Sequence, residues 1–113
     1  MRNLWLGLCL CAAAAGQAYA PVVSIDIRTA DGQDHTLAAH ESGLATLNVN
    51  GAEYGFRPTM WDDRGTHVTV TIFRLGANEA QLGEVDLHAG KPAADSKTSP
   101  DFHIRLGKVT NQS

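Results

Sequence analysis

Five histidines, His35, His40, His67, His88 and His103, are the first candidates for chemistry in this chain. Neutral imidazole ligates metals, and it shuttles protons near neutral pH. None of the five forms an H-x-H pair or an H-x-x-x-H pair. His88 and His103 fall on the outward phase of two alternating segments that a hairpin across the intervening loop would pair. With Glu84 or Asp86 beside them, they would form a surface Zn²⁺ or Cu²⁺ site. The plainer reading is solvent-exposed strand histidines, so no metal or other cofactor is assigned.

Nucleophilic catalysis needs a nucleophile, a base and an orienting acid within mutual hydrogen-bond reach. Ser24, Ser42, Ser96 and Ser99 sit in no such sequence context. Glu84 and Asp86, two apart on one strand face, solvate an exposed strand more readily than they act as an acid pair. The glycines are scattered as turn and bulge residues rather than gathered into a phosphate loop. The expectation is a protein without catalytic function.

A binding surface has the stronger claim. Tyr54, Phe56, Met60 and Trp61 fall close together, with Arg57 and Pro58 among them. Trp, Tyr and Arg are the usual anchors of binding surfaces. Tyr54, Arg57 and Trp61 are therefore candidate binding residues, although Tyr54 and Phe56 also suit the core and Trp61 could cap one end of it. The second candidate is the polar stretch Ala89–Pro100, which reads as one long loop carrying Lys91 and Lys97. Loops of that length are functional or flexible. As a protruding wedge, it would suit an inhibitor of a secreted hydrolase.

These residues need elements to hold them, and the periodicity is that of strands. Val23, Ile25 and Ile27 alternate with Ser24, Asp26 and Arg28. His35–Ala39 is a weaker strand. Leu44–Asn50 turns through Asn50-Gly51, a two-residue hairpin signal, into Glu53–Arg57. Val68, Val70 and Ile72 alternate with His67, Thr69 and Thr71, and a break of phase at Phe73 and Leu75 implies a bulge or a doubly covered end. Leu82–His88 and Phe102–Val109 complete the set. Six or seven short strands without a helical stripe predict an all-β fold, a small antiparallel β-sandwich of immunoglobulin-like kind or a small barrel. It should occupy residues 21–109, with 110–113 as a flexible tail.

The first twenty residues supply an address. Arg2 precedes an apolar run, Leu4–Ala15, of about 12 residues, short of the roughly 20 that cross a bilayer. Ala18-Tyr19-Ala20 has the small-x-small form of a signal-peptidase site. Pro21 directly after it disfavours the cut, and Gly16-Gln17-Ala18 offers a second site, so cleavage follows Ala18 or Ala20. Leu8 and Leu10 precede Cys9 and Cys11 where a lipobox needs a small residue, so both cysteines leave with the signal. The mature domain then has neither thiol chemistry nor disulfides.

The full chain carries nine Lys and Arg against twelve Asp and Glu, and loss of Arg2 takes the net charge from −3 to −4. Its charges are scattered without a basic stripe, which argues against nucleic acid as a partner. The sequence thus predicts a bacterial periplasmic or secreted interaction module, not membrane-spanning, with a protein or glycan partner. Exposed edge strands would also permit self-association.

Overall fold

The computed structural model describes residues 20–110. The proposed signal segment up to Tyr19 and residues 111–113 of the proposed tail lie outside the described residues. Eight strands follow in order: β1 (Val22–Thr29), β2 (Asp34–His40), β3 (Ala45–Val49), β4 (Ala52–Met60), β5 (His67–Arg74), β6 (Ala80–His88), β7 (Ala94–Asp95) and β8 (Phe102–Thr110). They form two antiparallel four-stranded sheets, ordered β2-β1-β8-β7 and β3-β4-β5-β6, packed as a sandwich. The second sheet is a meander, and the chain crosses between sheets at β2–β3 and at β6–β7.

Alternation decides which residues enter the core. Val23, Ile25, Ile27, Phe102, Ile104 and Leu106 point inward from the first sheet, and Phe56, Val68, Val70, Ile72, Val85 and Leu87 from the second. Phe102 is fully enclosed, with its ring edge-on to Tyr54 at 5.5 Å and to Phe56 at 5.3 Å. This aromatic trio fastens one sheet to the other.

The turns obey their residues. Asn50 and Gly51 both hold positive φ, 52° and 85°, as a type I′ hairpin needs, and the Asn48 side chain accepts the Gly51 N–H at 3.2 Å. The predicted irregularity near Phe73 is a bulge: the register shifts between Ile72 and Phe73 and leaves Leu82 of β6 as the extra residue. Pro58 sits inside β4 without breaking a ladder. Its carbonyl faces the β2–β3 connection, where it accepts the Ser42 N–H at 2.7 Å, and its nitrogen points the same way, off the β5 side.

The stretch Ala89–Pro100 is not one free loop. Ala94 and Asp95 pair with Ile104 and His103 as β7. The buried Ser96 hydroxyl accepts the Phe102 N–H at 2.9 Å, and the Thr98 methyl packs close against Gly83 of β6. Two paired residues are too few to show alternation in a sequence. Removing the whole stretch would remove β7, and Ala89 donates its N–H to the Thr66 carbonyl at 2.9 Å, so only the turn at 90–93 lies between tied residues.

Gly65 closes the β4–β5 turn with φ of 70°, and a Cβ there would meet the Val109 side chain at 2.6–2.8 Å. The Val109 side chain therefore occupies the space that a side chain at position 65 would need. Gly65→Ala is expected to cost about 1–3 kcal/mol, from the positive φ and the forced shift of Val109 together. Thermal melting would show it as a drop of several degrees, while Gly76→Ala, which meets nothing within 4 Å, loses only its φ contribution.

Candidate binding site

Strand directions gather Pro21, the β2–β3 connection, the β4–β5 turn, the start of the β6–β7 connection and the last residues of β8 at one end of the sandwich. Trp61 stands there, on the outer face of the second sheet, just past β4. Its backbone N–H donates to the His67 carbonyl at 2.9 Å and extends the ladder by one step. The ring does not cap the core: it is 65% exposed.

Cross-strand register builds a pile beside it. His67 pairs with His88. The Trp61 ring stacks on His67 at 5.7 Å and 24°, and His67 stacks on His88 at 4.3 Å and 19°. A hydrogen-bond chain runs underneath. The Trp61 indole N–H donates to the Thr69 hydroxyl at 2.6 Å, and that hydroxyl donates to Asp86 at 2.5 Å. His67 Nε2 lies 3.7 Å from the same carboxylate, enclosed and without a hydrogen-bond partner among the described residues. The Thr69 hydroxyl, hydrogen-bonded in the first place, followed by the His67 ring, holds the Asp86 carboxyl below the usual carboxylate range.

This arrangement orients rings. The Thr69 proton goes to Asp86 rather than to His67, so the nucleophile–base bond of a hydrolytic set is not made here. What remains is a flat, exposed indole locked at its nitrogen and along one face.

The other sequence candidates are dispersed. Arg57 lies on the same outer face, its guanidinium 4.9 Å from the centre of the Phe73 ring. At about 3.3 Å per residue it stands roughly 13 Å along β4 from Trp61. Tyr54 is buried against Phe102, which removes it from the binding surface; its even spacing from Phe56 places both in the core. Lys91 is exposed on the turn after β6, at the Trp61 end. Lys97 belongs elsewhere, just past β7, where its N–H donates to Asp95 at 2.9 Å.

His88 and His103 do not come together, because β6 and β8 belong to different sheets. His103 instead joins Asp95 and Asp101, with one ligand-type atom from each within 4.8 Å of the others. These carboxylates already tie down the loop: Asp95 accepts the Lys97 N–H and Asp101 accepts the Ser96 hydroxyl at 3.2 Å.

The outer face of the first sheet carries the larger groove, about 780 Å³, bordered by Asp26, Arg28, Asp34 and Arg105 among others. Its charges answer one another. Arg105 bonds Asp26 at 2.7 Å, and Arg28 grips Asp34 through two bonds of 2.8 and 3.0 Å. Arg105 and then Thr36 lower the Asp26 pKa, and Arg28 lowers that of Asp34. A carboxyl depressed in the folded state adds stability above its unfolded pKa and loses it as pH falls through the folded one. The melting temperature should therefore fall progressively as pH drops below about 4. Asp26→Asn should make that fall shallower, and an unchanged acid slope would contradict the assignment.

Sequence reading found Trp61 but missed His67, Thr69, Asp86 and His88 as its supports. The signal was present in the outward phase of the two strands, yet only the register across a bulged hairpin brings those positions together. Among the described residues no helix is long and apolar enough to cross a membrane. Comparisons with protein-family models, with curated proteins and with solved structures found no match.

Proposed function

We propose that this chain is an exported, non-catalytic binding module that engages a protein partner through the Trp61 end of its β-sandwich. One observation carries the reading: Trp61 is 65% exposed and yet held by a hydrogen bond at its nitrogen and by the His67 ring against one face. Trp is enriched at interfaces relative to the rest of protein surfaces, and anchors fixed before binding lose little entropy when they dock. Arg57 and Lys91 extend the surface away from Trp61. The larger groove on the opposite face suits this role less, since its acids and bases already neutralise one another.

Export rests on the basic, apolar and small-x-small pattern of the first twenty residues. The test is capture by the immobilised full chain from envelope proteins of the producing cells. A specifically retained protein should be lost from the Trp61→Ala chain and kept by the Lys97→Ala chain. Equal retention by Trp61→Ala rejects the reading.

A further inference from the structure

Beside Trp61 the surface sinks into a cleft of about 400 Å³, lined by Pro21, Glu41, Met60, Trp61, Asp62 and Asp63. Three of these six carry carboxylates and none is basic. Glu41 is fixed in place: its N–H donates to the Pro21 carbonyl at 2.7 Å, and its carboxylate accepts the Met60 N–H at 3.3 Å. Asp62 is fixed too, accepting both the backbone N–H and the hydroxyl of Thr66. The Thr66 hydroxyl in particular holds the Asp62 carboxyl below the usual range. Asp63 is exposed at the rim.

The contrast with the opposite face is chemical. There, Asp26 and Asp34 each have an arginine from this chain. The ion pairs among the described residues leave Glu41, Asp62 and Asp63 without one. An indole and three carboxylates lining one cleft suit a cation, which gains from the ring quadrupole and from the acids together. A planar guanidinium suits it better than an ammonium, since it lies flat on an indole and meets carboxylates through two parallel bonds.

From this charge complementarity we infer that the cleft seats an arginine side chain of the protein partner, stacked on Trp61 and paired with Glu41 and Asp63. The inference rests on the Trp61 docking reading and names what docks there.

The test uses the full chain with Trp5→Phe, so that Trp61 is its one remaining tryptophan. The probes are an acetylated Gly-Arg-Gly-Arg-Gly amide and its citrulline counterpart, which keeps the shape and loses the charge. The arginine peptide should shift Trp61 fluorescence saturably, and more weakly as salt rises. Citrulline should bind at least about tenfold more weakly, and Asp63→Asn, at an exposed position, should weaken the arginine peptide by about three- to tenfold. Equal binding of both peptides overturns the arginine assignment and leaves Trp61 docking intact. Binding unchanged in both Asp63→Asn and Glu41→Gln overturns it as well. If neither peptide perturbs Trp61 the assignment also falls, and the docking reading then stands or falls on partner retention by Trp61→Ala.

Discussion

Phe102→Ala is expected to remove about 3–5 kcal/mol of stability, the usual cost of emptying a large aromatic site in a core. Phe102 has no exposed surface and meets Tyr54 and Phe56 edge-to-face, so the substitution deletes the contacts that join β8 of the first sheet to β4 of the second. A domain of this size holds about 5–14 kcal/mol in total. Its two cysteines, Cys9 and Cys11, both lie in the proposed signal segment, so the core carries that stability without a disulfide. At roughly 4–8 °C per kcal/mol, the melting temperature should fall by more than about 12 °C. Phe102→Leu, which keeps most of the volume, should lose much less. A fall of under 5 °C for Phe102→Ala, well below that expectation, would mean that the aromatic trio does not hold the sheets together.

The second large effect falls on binding. Trp61→Ala should weaken the protein partner by about 30-fold or more, the 2 kcal/mol or greater loss of an interface anchor. The fold should barely register the change, because the removed ring is mostly exposed and its indole N–H meets a Thr69 hydroxyl that still has Asp86 as acceptor. Trp61→Phe should fall between the two, keeping a flat face but losing the bond that locks it. Titration calorimetry alongside thermal melting separates the outcomes. A weakened partner with unchanged melting supports the docking role, whereas a matching loss of both would make Trp61 a structural residue.

Much of this architecture is legible in the residues. Alternation in Val22–Thr29, His67–Arg74 and residues 102–106 gives three central strands directly, because a half-buried sheet imposes a period of two. Asn50-Gly51 announces its own turn, while the phase break at Phe73 allows a bulge or a doubly covered end, and the register shift there, with its extra residue on β6, matches the first. The failures share one physical cause. Which strands become neighbours depends on the collapse of the whole chain, and no local pattern records it. Pairing His88 with His103 assumed a hairpin across the 89–100 stretch, but the chain changes sheets there. His88 instead meets His67, and His103 meets Asp95 and Asp101. Trp61 was visible as an amphipathic aromatic beside a polar turn, while the pile that steadies it needed three strands in register. The acidic cleft was hidden for the same reason, since Glu41 lies 20 residues before Trp61 and reaches it only through the β2–β3 connection.

The most direct test of the Trp61 end as the docking surface is site-specific photocrosslinking in the cells that produce the full chain. A photoreactive phenylalanine analogue replaces Asp63, at the rim of the cleft, or Thr36, on the outer face of the opposite sheet. A discrete protein adduct from position 63, absent from position 36 and abolished when Trp61→Ala is added, is the predicted result. An adduct from position 36 with none from position 63 would contradict it and move the binding surface to the other sheet.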